Sequence, residues 1–192
     1  MRSFEQFLND TAEKGGCINS LFEERLFALV GTLEKIAGPL AAENISYELI
    51  GGGAVMIQVN RVEPSAVRLT KDLDIMVHRR DLERIKQVAA RHGFSFCREA
   101  RNAPHLIFTG EKVKASQSTP NPPLRPQHLS IHGVEVAVIP VSDLVHMKLS
   151  NNRDIDRVHV RDMDSVGLVT REVERCLPPV LQARLREIRS QE

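Results

Sequence analysis

The chain has 192 residues, of which 26 are basic, 25 acidic and 42% apolar, with a formal charge of +1. This is the composition of one ordinary globular core, too apolar for disorder, too short for two typical domains and without the basic excess of a general nucleic-acid binder. Cys17, Cys97 and Cys176 fit neither a disulfide framework nor a zinc finger and read as buried thiols, and without an apolar signal core or a membrane-length run the expectation is a cytoplasmic, unprocessed chain with no membrane contact.

Residues 1–16 read as a short helix. Ser20 and Glu23 form a capping box, and Phe22, Leu26, Leu29, Leu33, Ile36 and Leu40 follow at spacings of four and three, one apolar helical face that Gly38-Pro39 should break or kink. Residues 1–44 are thus an N-terminal helical packing segment. Tyr47 to Ile50 is a buried strand that stops at Gly51-Gly52-Gly53, after which Ala54 to Val59 is helical. Glycines at such a turn let the backbone approach a ligand closely, and the unpaired N–H groups of the helix start favour a phosphate.

Arg61 to Val67 contains Pro64 and reads as a loop leading to Arg68-Leu69-Thr70-Lys71. Arg68 there either contacts phosphates or neutralises the acids that follow, whereas Lys71 points away from them. Asp72 and Asp74 lie two apart on a strand, so both carboxylates leave one face about 6 to 7 Å apart along the chain. Two such carboxylates suit Mg²⁺, which takes one or two from a protein and completes its octahedron with water and phosphate. The four other acid-x-acid pairs, Asp81/Glu83, Asp154/Asp156, Asp162/Asp164 and Glu172/Glu174, lie on helical stretches and diverge.

Asp81 caps a helix with Leu82, Ile85, Val88 and Ala89 inward and Gly93 at its end. Phe94 to Phe96, His105 to Phe108 and Lys112 to Lys114 read as strands, and Ser116 to Gln127, with Pro120, Pro122, Pro123 and Pro126, as a loop. Val134 to Ile139 is the last strand. Helices follow at Ser142–Leu149, Ile155–Asp162, Arg171–Cys176 and Pro178–Ile188. The fold class is therefore α+β: a mixed sheet flanked by helices in a core of residues 45–140, with a C-terminal helical segment, 141–192, in one compact unit.

A dinucleotide-binding G-x-G-x-x-G would need glycine where Met56 stands, no Gly-Lys-Ser/Thr completes a P-loop, and His128 and His132 lack a third zinc ligand. Gly52-Gly53 opening a helix, with Asp72-Leu73-Asp74 on the next strand, resembles instead the nucleotidyltransferase fold of the DNA polymerase β superfamily. Ile50 to Ala54 and Arg68 to Asp74 are similar to bacterial nucleotidyltransferase-like proteins related to the AbiEii toxins. Asp143 to Leu149, then Arg153, Asp156 and Asp162, resembles that group's Lys-Leu helix and Arg-x-Lys-Asp segment, with Ile155 replacing the usual lysine. The likeness spans roughly residues 45 to 168, the size of one domain.

What the resemblance implies is transfer of a nucleoside monophosphate from an NTP to an acceptor hydroxyl on a tRNA, a protein or a small molecule, with an antitoxin-like protein as a further partner. Asp72 and Asp74 would hold two Mg²⁺ ions, Gly52 and Gly53 would cradle the triphosphate, and Lys148 and Arg153 would add charge near the phosphates; Lys148 equally suits a salt bridge to the acidic strand. A third carboxylate on a neighbouring strand is also implied, as metal ligand and general base. The His105 strand offers His105 there, Glu111 lies just beyond it, and Glu135 sits between valines on the next strand, making Asp72, Asp74 and Glu135 the expected catalytic set. The alternative is a degenerate nucleotidyltransferase-fold domain that binds nucleotide or a protein partner without catalysis.

Overall fold

The computed structural model describes residues 24–97, 105–108, 111–118, 124–131 and 133–191. The capping box at Ser20 and Glu23, the 1–16 helix, Cys17, three of the four loop prolines and His132 lie outside the described residues. Helix α1 is described over 24–42. It runs through Gly38-Pro39 without breaking: the bond that a residue-39 N–H would make is absent, but the burial of Ile36, Ala37 and Leu40 holds the turn and Glu43 N–H still reaches the Pro39 carbonyl at 3.2 Å. Leu29, Leu33, Ile36 and Leu40 are almost wholly buried, as their spacing requires.

Among the described residues the sheet has seven strands: β1 (Tyr47–Ile50), β2 (Asp72–His78), β3 (Ser95–Cys97), β4 (His105–Phe108), β5 (Glu111–Ser118), β6 (Gln127–Ile131) and β7 (Val134–Val138). Their order is β3-β4-β5-β2-β1-β7-β6. It is mixed: β1 is antiparallel to β2 but parallel to β7, and β2 is parallel to β5. The largest departures from expectation in the sheet are at β5 and β6. β5 extends to Ser118, into the stretch read as loop, because a long parallel pairing with β2 holds it. β6 was not legible as a strand because its first four residues are exposed or half-buried; it is fixed by antiparallel pairing with β7 across Gly133, whose φ is +81°.

Helix α2 (Gly51–Val62) follows β1 directly and packs on β1 and β2. α3 (Leu82–Arg91) buries Ile85, Val88 and Ala89. The C-terminal helices are α4 (Val141–Asn151), α5 (Asp154–Ser165), α6 (Arg171–Cys176) and α7 (Pro179–Arg189). α4, α5 and α7 pack on one another, and α4 and α5 also reach α2. Asn152, at φ +50°, makes the turn between α4 and α5. One buried apolar cluster joins residues of α1, the central strands, α2, α3 and α7, each fully buried leucine or isoleucine worth about 1.5–3 kcal/mol. Cys176 is exposed, against the reading of the cysteines as buried: it ends a helix that buries no residue. No helix among the described residues is long and apolar enough to cross a membrane.

Candidate active site

The antiparallel register of β1 and β2 sets Ile50 opposite Asp74, so the chain leaves β1 into the glycine turn beside that aspartate. Along β2, Leu73, Ile75 and Val77 are buried while Asp72, Asp74, Met76 and His78 share the half-buried face. The two aspartates therefore do leave one face. Gly51 has φ +69°, and a Cβ built on it would overlap the Asp74 carboxylate. The carboxylate thus stands over the turn. A Cβ on Gly52 would lie 2.6 Å from Thr70 Oγ1 and 3.6 Å from His159 Cε1, and one on Gly53 3.0 Å from Leu73 Cδ2. Gly51 and Gly52 thus line the turn, whereas Gly53 lets α2 pack closely on the sheet. No side chain caps α2 and its first turn holds no acid, which leaves its leading N–H groups suited to an anion.

Behind the turn, α4 and α5 bring a buried ion pair. Lys148, 4% exposed, donates from Nζ to Asp156 Oδ1 at 3.1 Å, and Asp156 is wholly buried. Arg153 forks onto the same carboxylate, Nε to Oδ2 at 2.7 Å and a terminal nitrogen to Oδ1 at 3.2 Å, and its backbone N–H donates to Oδ2 at 3.3 Å. Burial pushes the Asp156 carboxyl upward, but these donors outweigh it and the group ends below the ordinary carboxylate range. Lys148 therefore pairs with α5 rather than with the acidic strand. The exposed Arg153 guanidinium also lies in the field of Asp74, which ties this cluster to the metal-ligand candidates.

His159, one turn further along α5, lies against the Gly52 backbone. Burial, and next the charge of Lys148, hold its pKa down at about 4 against the opposing pull of Asp162 and Asp156, with Arg68 adding to the depression, so the ring is neutral at pH 7. Arg68 itself neither meets the aspartate pair nor stands free: it forks onto Asp162, Nε to Oδ2 at 2.9 Å and a terminal nitrogen to Oδ1 at 3.2 Å. With the Arg68 side chain 57% exposed, Arg68→Gln should cost less than about 1 kcal/mol in a urea melt.

The strand registers set none of the third-carboxylate candidates opposite the pair. β5, not β4, is the strand beside β2, and its register sets Lys112 opposite Asp72 and Lys114 opposite Asp74, with Glu111 one residue out of step. His105 pairs with Lys114 one strand further out. Glu135 is exposed and pairs with Ser130 on β6; counted from Leu49 opposite Val138, it lies on the order of 15 Å from Asp74. Among the described residues no group of three or more His, Cys, Asp and Glu side chains gathers as a metal site. Glu48 is the buried acid on the aspartate face, opposite Met76, where it accepts from the Arg125 backbone N–H. Burial first, with Asp143 adding, raises its pKa.

Glu48 and His159 are site residues that sequence reasoning gave no role, while Gly51, Thr70 and Asp156 entered it only as members of a glycine turn or of a resembling segment. Asp156 had a signal, since it follows Arg153 by three at a helix start, and His159 follows it by three on the same inward side. Nothing in the sequence distinguished Gly51 from its two neighbours.

No family model matches the chain, and no curated protein sequence does. Solved structures do. The antibiotic-resistance factor ANT(2'')-Ia, determined in complex with adenylyl-2''-tobramycin, superposes with a TM-score of 0.60 at 15% identity over 83% of this chain and 98% of that one. An antigenic nucleotidyltransferase-like protein from Paracoccidioides brasiliensis gives 0.60 at 17% identity over 84% and 87%. The lincosamide adenylyltransferase LnuA, bound to lincomycin, gives 0.50 at 11% over 75% and 97%. At these identities the likeness is one of fold, and the fold is that of the nucleotidyltransferases.

Proposed function

We propose that this chain is a Mg²⁺-dependent nucleotidyltransferase that moves a nucleoside monophosphate from an NTP to an acceptor hydroxyl. The observation that carries the reading is the Asp74 carboxylate standing over the Gly51 turn, with Asp72 on the same strand face. Two half-buried carboxylates fit Mg²⁺, which when bound with NTP would neutralise phosphate charge at Asp72 and Asp74. Gly51 and Gly52 approach the phosphates through backbone N–H groups, and the Arg153 guanidinium, held by Asp156 and lying in the field of Asp74, adds positive charge on the same side. In the transfer the acceptor oxygen bonds the α-phosphorus, the α–β bridging bond breaks, pyrophosphate leaves and the hydroxyl proton is released. The structural neighbours in complex with adenylyl-2''-tobramycin and with lincomycin make a small hydroxylated acceptor the first class to screen.

One observation favours a second reading, a domain that binds nucleotide without turnover: lysines occupy the β5 positions in register with both aspartates. Calorimetric titration with each NTP, with and without Mg²⁺, on the wild type and on Asp72→Asn/Asp74→Asn tests both. Magnesium-dependent binding should vanish in the double variant. If the wild type binds no NTP, both readings fall; if it binds yet releases no pyrophosphate with any acceptor screened, the second replaces the first.

A further inference from the structure

Asp72 stands past the end of its inner neighbour. β1 pairs with β2 no further than Ile50 opposite Asp74, where the chain turns away through Gly51 and Gly52. On the other side β5 runs beside Asp72, with Lys112 in register. Thr70, half-buried in a stretch, 67–71, that is neither helix nor strand, takes the place of β1. Its Oγ1 donates to the Asp72 carbonyl at 3.0 Å and accepts from the Asp72 N–H at 3.4 Å, so one hydroxyl serves both backbone groups of that residue. The same side chain closes on the glycine turn. A Cβ on Gly52 would lie 2.6 Å from Thr70 Oγ1 and 3.1 Å from Thr70 Cβ, so Thr70 fills the room that a side chain at 52 would need.

We infer that Thr70 is a positioning residue of the transfer site: its hydroxyl holds Asp72 where β1 no longer runs, and its body rests on Gly52, which fixes the separation of the metal-ligand strand from the phosphate turn. This rests on the nucleotide reading above. Without the hydroxyl, Asp72 is held from the β5 side alone, and Mg²⁺, which demands near-ideal octahedral geometry, tolerates little drift in a ligand. Thr70 acts through Asp72 and Gly52 rather than on the nucleotide itself.

The test is calorimetry with the best-bound of the four NTPs, and a Mg²⁺ titration at fixed NTP, on the wild type, Thr70→Val and Thr70→Ser. Valine keeps the shape against Gly52 and loses both hydroxyl bonds, whereas serine keeps the hydroxyl. Thr70→Val should weaken Mg²⁺-NTP binding roughly ten- to a hundredfold and raise the Mg²⁺ concentration at half-saturation. Thr70→Ser should recover most of both. A merely structural role would lower the melting temperature without moving the Mg²⁺ midpoint, so an unmoved midpoint in Thr70→Val, or an equal loss in Thr70→Ser, overturns the inference while the nucleotide reading stands. Should Thr70→Val fail to fold, hydrogen exchange on the wild type decides: the Asp72 amide should be protected, and more so with Mg²⁺ and NTP, and rapid exchange overturns the role. A wild type that binds no NTP removes the nucleotide reading, and the positioning role goes with it.

Discussion

Gly51→Ala should abolish magnesium-dependent nucleotide binding while leaving a folded chain. The backbone at 51 has φ +69°, where an L side chain costs about 1–2 kcal/mol, and its new Cβ would occupy the position of the Asp74 carboxylate. One of the two must move. Because β1 and α2 are buried on either side of the turn, the backbone is held and the carboxylate is displaced. A shift of about 1 Å in a group that must meet metal and phosphate can cost on the order of a hundredfold, so the expected loss in affinity is at least that, against a stability loss of about 1–3 kcal/mol. Gly31→Ala supplies the opposite sign. Gly31 lies inside α1, its φ is not positive, and nothing lies within 4 Å of an added Cβ, so this change should stabilise by about 0.5–1 kcal/mol and leave binding untouched. Thermal melts and calorimetry on the two variants measure both quantities; unchanged nucleotide affinity in Gly51→Ala would separate the turn from the site.

The elements that positioned this turn were legible because their periodicities are strong and local. Leu29 to Leu40 carries a helical stripe, and Asp72 to His78 alternates so cleanly that the shared face of the two aspartates followed from period two alone. Partners across the sheet were not legible. Which strand lies beside β2 depends on long-range pairing, and that pairing put lysines, not His105, opposite the aspartates. The same limit hid Glu48: it read as part of a buried apolar strand, and only the register with Met76 assigns it to the aspartate face. Arg68 failed for a different reason. A long side chain near two acids has several carboxylates within reach, and Asp162, 94 residues away in the chain, is the one it meets.

Lys148→Met should be the most destabilising single change at the site, by about 3–5 kcal/mol in a denaturant melt at pH 7, because it leaves a wholly buried carboxylate short of one of its charged partners. The wild-type Asp156 carboxyl lies below its usual range, so its contribution is fully present above the unfolded value near 4 and is lost only as pH falls through the lower folded one. In Lys148→Met the folded carboxyl rises, because burial is then opposed only by Arg153. Protonation relieves that variant before it harms the wild type, so the gap between the two should narrow as pH drops below about 4. His159 adds a limb of its own: its folded pKa of about 4 lies below the unfolded 6.5, so stability present above pH 6.5 is progressively lost between 6.5 and 4. Lys148 is the second cause of that depression, so removing it should flatten this limb as well as lower the plateau. Lys148→Met/Asp156→Leu provides the decisive comparison, since replacing both partners removes the stranded charge: the double variant should be more stable than Lys148→Met alone. If it is less stable, the Asp156 carboxylate contributes net stability even without Lys148, through its fork with Arg153 and its bond to the Arg153 N–H at the start of α5 rather than through the pair that ties α4 to α5.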